Sequence, residues 1–206
     1  MKVVIVTGGI GSGKSQACRI LEERYEIPVY EADKRAKSLY SEIPGMLDAI
    51  EDALGCGLRN DAGEFAPQKL AAVIFNDVSA LRKVEEILFP VMMSDFERWA
   101  QGKGEVVAFE SATVLEKPQF DGFGDIVLLI NAPLSIRTER AALRDSADAA
   151  KVKQRMSAQP LMNRLSEGES DSRIDFTINN DSEIENLSEK LGDFVEKYGL
   201  TKMLSR

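Results

Sequence analysis

The 206-residue chain has no histidine, only two cysteines, and no apolar run approaching the ~20 residues that cross a bilayer. The missing imidazole excludes every mechanism that requires a histidine. Cys18 falls in an expected helix and Cys56 in a glycine-flanked loop, so a disulfide framework or zinc site is not expected and the thiols are read as reduced. Positive charge is also short: 26 Lys and Arg against 34 Asp and Glu leave a net charge of −8. An acidic surface attracts neither nucleic acid nor an anionic membrane, so phosphate binding has to rest on local positive charge. There are no repeats, no low-complexity linker and no signal-peptide pattern ahead of the first apolar run. A cytoplasmic, monomeric protein is the expectation, with one domain or one carrying an inserted lid and enough chain for a large core.

What is present starts with Gly8-Gly9-Ile10-Gly11-Ser12-Gly13-Lys14-Ser15. This is G-x-x-x-x-G-K-[ST], in which glycines turn backbone N–H groups inward, lysine reaches the β and γ phosphates, and the final hydroxyl ligates Mg²⁺. A match of this length arises by accident, so its context decides. Lys2-Val3-Val4-Ile5-Val6-Thr7 reads as a buried parallel strand entering the loop. Ser15 to Tyr25 sets Ala17, Cys18, Ile20 and Leu21 against Arg19, Glu22, Glu23 and Arg24, an amphipathic helix whose N-terminus adds to the anion site. The chain therefore reads first as a binder of nucleoside triphosphate.

Short apolar runs alternate with helical patterns along the rest of the chain, which means a parallel α/β sheet with crossover helices. Further strands are expected at Pro28–Glu31, Glu105–Glu110, Asp125–Asn131 and Phe176–Asn179. About seventy residues separate the second and third strands, too many for one crossover, so a helical insertion is expected there. In it, Leu81, Val84, Leu88, Val91 and Met92 form a helical stripe, which Pro90 should kink or interrupt. Ser182-x-x-Glu185 reads as a capping box before a last helix with Ile184, Leu187, Leu191, Phe194, Val195 and Tyr198 at helical spacing. The core is expected at about 1–33, 104–136 and 174–206, the insertion at about 34–103 and a lid at about 137–165.

Two constellations address the acceptor. Glu31-Ala32-Asp33 ends the second strand, and residues i and i+2 of an extended segment share a side, which would aim both carboxylates at the γ-phosphate. Asp33 there can orient or deprotonate a hydroxyl and hold Mg²⁺ through water; alternatively it simply caps the helix starting near Lys34. Arg137, Arg140 and Arg144 share one helix face after the fourth strand, where arginine can clamp phosphates, or where the face is merely solvated beside Glu139 and Asp145. The polar segment Asp145–Lys153, followed by Arg155, suits a mobile lid that excludes water from the transfer.

The wording Val4-Ile5-Val6-Thr7-Gly8-Gly9-Ile10-Gly11-Ser12-Gly13-Lys14-Ser15, followed by Val29-Tyr30-Glu31-Ala32-Asp33, resembles the dephospho-coenzyme A kinase family. The likeness continues through Glu86–Pro90, Glu110–Glu116, Leu143-Arg144-Asp145, Arg155–Gln159 and Asp175–Asn180, covering nearly the whole chain. It implies a P-loop fold with a five-stranded parallel sheet flanked by helices, and transfer of the ATP γ-phosphate to the ribose 3′-hydroxyl of dephospho-coenzyme A with Mg²⁺. Carried over by position, Gly11, Ser12, Gly13, Lys14, Ser15 and Gln16 hold the ATP phosphates, and Asp33, Lys14 and Arg144 serve catalysis. Ser15 and Asp33 attend the metal, and Asn179, with Asn180, lies near the adenine, unless the pair only makes a turn. Asp33, Phe89, Glu116, Arg140 and Arg155 then line the acceptor side. The chain departs from the family at Phe89, where histidine usually precedes proline, at Glu31 in place of Asp, and at Ala112 near a common Pro.

Three other readings share these residues. Another small-molecule or nucleoside monophosphate kinase would differ in its acceptor pocket. A nucleotide switch is disfavoured because no Asn-Lys-x-Asp motif and no apolar strand ending in Asp-x-x-Gly is present. A catalytically dead relative is the reading Phe89 leaves open, disfavoured because Lys14, Ser15, Asp33 and Arg144 are all retained.

Overall fold

The computed structural model describes residues 1–75, 77–146, 148–181 and 184–200, without the side chain of Ile184. Five apolar runs form strands: β1 (Lys2–Thr7), β2 (Val29–Glu31), β3 (Val106–Glu110), β4 (Ile126–Asn131) and β5 (Phe176–Asn179). Each lies within a residue of its expected bounds, because a strand covered on both faces reads as an uninterrupted apolar run. They form one parallel sheet in the order β2-β3-β1-β4-β5. The register sets Val6 of β1 beside Glu110 of β3 and Leu128 of β4, and Ile130 of β4 beside Ile178 of β5. With β1 central, successive connections leave it in opposite directions, so the loop after β1 opens where ligands bind in such sheets.

The chain divides into two compact units, residues 1–30 with 103–206 and residues 31–102. In the first, α1 (Lys14–Tyr25) and α9 (Ile184–Tyr198) cover one face of the sheet. Ala17, Ile20 and Leu21 meet Leu187, Leu191, Phe194 and Val195 over Val4, Val6, Leu128 and Ile178, all of them buried. Ser182, the expected cap of α9, lies outside the described residues. Between β4 and β5 come α6 (Leu134–Asp145), α7 (Ala149–Met156) and α8 (Pro160–Ser166).

The second unit holds α2 (Ala32–Glu42), α3 (Met46–Leu54), α4 (Pro67–Ile74) and the 23-residue α5 (Val78–Ala100), against which the other three pack. Arg35 of α2 forks onto Asp95 of α5 at 2.7 and 2.9 Å and reaches Glu42 at 2.7 Å. Burial pushes the Tyr40 phenol up to about 12, reinforced by the charge of Glu85. Of the kink or interruption expected at Pro90, the interruption does not occur, and α5 runs continuously through it. Pro90 and Glu86 are both exposed, so the carbonyl that loses its partner can turn to water, while buried Val84, Leu88, Phe89 and Met92 hold the helix in place.

Candidate nucleotide site

β1 ends in Thr7, fully buried, and the chain then turns through Gly8–Gly13 into α1. Ser12 donates its N–H to the Gly9 carbonyl at 3.0 Å, folding the loop back on itself. Gly13 takes a left-handed φ of 96° as the N-cap of α1, and a Cβ there would collide with the Asn180 amide. No side chain caps α1 and no acidic residue stands in its first turn, so its N–H groups and dipole remain available to an anion. Lys14 opens the helix with its ammonium on the Glu110 carboxylate, both mostly buried, while Ser15 is exposed and Gln16 accepts from Arg19 at 2.9 Å.

The loop is braced from two sides. Asn180, just past β5, donates its amide Nδ2 to the Ser12 carbonyl at 2.8 Å and its backbone N–H to the Asn131 carbonyl at 2.7 Å. Arg140 of α6 donates to the carbonyl of the same Asn180 at 2.8 Å. On the other side, Ile10 donates its N–H to Gln159 Oε1 at 2.9 Å and accepts from Arg137 Nε at 3.0 Å. The Ile10 side chain packs against Ala141 of α6 and Val152 and Met156 of α7. Both main-chain groups of one loop residue are thus satisfied by the α6–α8 segment.

Asp145–Lys153, expected as a polar lid, is mostly helix, with Val152 fully buried and Met156, just beyond it, 1 % exposed. A few apolar contacts in a polar composition leave little periodic signal. At its turn, Arg144 forks onto Asp145 at 2.7 and 3.0 Å and Arg155 reaches the same carboxylate at 2.5 Å, holding Asp145 far below the usual carboxylate range. Arg144 and Arg155 are both more than half exposed. Arg137, one of the three arginines read as a shared helix face, is instead buried at 1 % exposure.

Glu116 closes a 3₁₀ turn after β3 (Val114–Glu116) and accepts the Leu161 N–H at 3.1 Å, tying that turn to α8. Burial raises its pKa, opposed by the Leu161 N–H and by the charges of Lys117 and Arg164. Asn179 is exposed at the end of β5, its Oδ1 3.4 Å from Asn131 Nδ2 and its carbonyl accepting from Lys190 at 2.6 Å. Asn180, expected near the adenine or in a turn before the last helix, has its amide nitrogen on the Ser12 carbonyl and is 7 % exposed, so it braces the loop.

In the helical unit, the strand ends at Glu31 and α2 begins at Ala32. Asp33 therefore lies in the first turn of a helix rather than in an extended segment, and the i, i+2 argument for pairing it with Glu31 fails. Nor does Asp33 cap α2, whose N-cap is Glu31. Asp33 is exposed, and Glu31 is 3.4 Å from Lys34. Phe89 is buried at 9 % exposure on α5.

Glu110, Gln159 and Arg137 carry structural roles at the loop that were not assigned to them. Glu110 had a signal, a carboxylate ending an apolar strand. Arg137 is marked in the sequence only as part of an arginine face and Gln159 only as the end of a resembling segment, and tertiary folding alone brings both to Ile10.

The profile of the dephospho-CoA kinase family matches residues 2–186. A dephospho-CoA kinase from Porphyromonas gingivalis is 36 % identical over 175 residues, 84 % of this chain and 85 % of the relative. Among solved structures, a Thermus thermophilus protein superposes with a TM-score of 0.78 at 23 % identity, covering 95 % of this chain and 97 % of the other. A Campylobacter jejuni dephospho-CoA kinase gives 0.64 at 19 % identity, covering 95 % and 96 %. The phosphate loop between β1 and α1, the sheet order around it and the profile match agree, and the chain belongs to the dephospho-CoA kinase family.

Proposed function

We propose that the chain transfers the γ-phosphoryl group of ATP to the ribose 3′-hydroxyl of dephospho-coenzyme A, the last step of coenzyme A synthesis. The observation that carries this reading is the braced phosphate loop, with Lys14 at the open N-terminus of α1, in a chain that matches the family from residue 2 to 186. The 3′-oxygen attacks the γ-phosphorus, the bond to the bridging β–γ oxygen breaks, and ADP leaves. Asp33 takes or directs the hydroxyl proton. Gly11, Ser12, Gly13, Lys14, Ser15 and Gln16 receive the phosphates, and Arg144 and Arg155 exchange Asp145 for phosphate oxygens. Arg140 acts from behind, through Asn180. Glu116 and Phe89 bound the acceptor side, and Asn179 faces the base.

Among the described residues no group of three or more His, Cys, Asp or Glu could hold a metal ion. We assign Mg²⁺ mainly to the substrate phosphates and a few hard oxygen donors. The exposed Ser15 hydroxyl and Asp33 carboxylate suit such a role. When bound, the ion neutralises charge building on the β and γ phosphates. No described helix is long and apolar enough to cross a membrane; we assign the reaction to the cytoplasm and to a monomer.

The test is ATP consumption by purified protein with dephospho-coenzyme A, with other alcohol acceptors and with nucleoside monophosphates. Strict dependence on dephospho-coenzyme A is expected, with coenzyme A as product. Preference for another acceptor overturns the assignment.

A further inference from the structure

Arg137 has no part in the proposed chemistry, and its setting is unusual. The residue is 1 % exposed, and its recorded hydrogen bonds go only to backbone carbonyls, Nε to Ile10 at 3.0 Å and Nη1 to Met162 at 3.0 Å. Nη2 is buried and makes no hydrogen bond. No carboxylate among the described residues pairs with this guanidinium. Burial accordingly lowers its pKa, with no charged group contributing.

An isolated buried cation is costly, and a neutral donor would serve two carbonyls without that penalty. What lies against the guanidinium is the phosphate loop: a Cβ on Gly9 would overlap its Cζ and Nη2. The guanidinium thus lies directly against the Gly9 backbone of the loop. A positive charge at that spot acts through low-dielectric protein rather than through water, where its field would be far weaker. Its grip on Ile10 and Met162 also links the loop to α8.

We propose that Arg137 is a positioning residue whose buried charge, set behind Gly9 and Ile10, selects for nucleotides with more phosphate charge and so favours triphosphate over diphosphate. The bound phosphates supply the counter-charge that the protein itself does not. This extends the assignment of Gly8–Ser15 to nucleotide phosphates and depends on it, but it does not depend on the acceptor.

The test measures binding of ATP, ADP and AMP, each with Mg²⁺ and without acceptor, by titration calorimetry on the full chain. For Arg137→Gln the loss of affinity should be graded, about tenfold or more larger for ATP than for ADP, the order of effect of one unit charge over roughly 8–10 Å at an effective dielectric near 20. Arg137→Lys keeps the charge and loses the fork, so it should restore the ATP-over-ADP ratio even if all three affinities fall together. Arg137→Met serves as the neutral variant should the glutamine protein not fold. An equal loss for all three nucleotides, no loss, or a lysine variant that behaves like the neutral one overturns the proposal and leaves Arg137 a plain structural strut. If the unsubstituted protein binds ATP but does not phosphorylate dephospho-coenzyme A, the proposed function fails while this inference stands. Failure of the unsubstituted protein to bind any of the three overturns both.

Discussion

At the level of single residues, three carboxylates hold different positions and answer to different measurements. Asp33 is exposed in the first turn of α2. Asp33→Asn should abolish phosphoryl transfer while ATP affinity stays within a few-fold, read by coupled assay and calorimetry; near-normal turnover ends its role as the catalytic carboxylate. Glu110 is paired with the Lys14 ammonium in a mostly buried contact. Glu110→Gln leaves that ammonium without its counter-charge, so the ligand-free protein should lose about 1–3 kcal/mol of stability in urea. Nucleotide phosphates replace the lost partner, and ADP should raise the melting temperature of the variant more than that of the parent. Glu116 has a pKa raised by burial, so the folded state favours its protonated form. The sign follows: its cost to stability is absent below the ordinary value of 4.5, grows as pH rises from there towards the raised folded value, and is complete above it. Glu116→Gln, which still offers an oxygen to Leu161 N–H, should therefore equal or exceed the parent in stability at pH 7 and lose that advantage at pH 4, measured by urea midpoints.

Among the elements, α9 closes the sheet face that α1 leaves open, and its stripe Leu187, Leu191, Phe194 and Val195 is buried to 3 % exposure or less. Leu191 is fully buried at the centre of that cluster, so Leu191→Ala should cost about 2–5 kcal/mol through lost transfer energy and the cavity left behind. A cost below ~1 kcal/mol in denaturant unfolding contradicts this account of the core. This stripe was legible in the sequence, as were the five strands, because burial on one face or two imposes a period on the residues. The start of α2 was less so: Glu31-Ala32-Asp33 reads equally as strand end or helix start, and the fold decides at Ala32. α7 escaped for another reason, since Val152 and Met156 make its whole apolar anchor and polar residues surround them. The glycine loop was legible because its glycines answer local demands, such as the left-handed turn at Gly13. Its braces were not, since Gln159, Arg137 and Asn180 meet it from 149, 127 and 168 residues away in the chain.

Over the whole molecule, local and global charge oppose each other. The chain carries a net charge of −8, while Lys14, Arg137, Arg140, Arg144 and Arg155 sit in or around the loop and the helices that follow β4. An approaching ATP anion meets repulsion at long range and attraction only at close range. The Debye length falls from about 30 Å at 0.01 M salt to about 8 Å at 0.15 M, which removes the long-range term first and screens the partly buried contacts much less. The association rate for ATP should therefore hold steady or rise modestly over that range, while the dissociation rate rises because exposed Arg144 and Arg155 are screened in the complex. Stopped-flow binding at constant free Mg²⁺ separates the two rates. A site fed by a positive funnel behaves oppositely, its association rate dropping steeply with salt, and a tenfold drop here would mean that the acidic surface lies too far from the loop to oppose nucleotide entry.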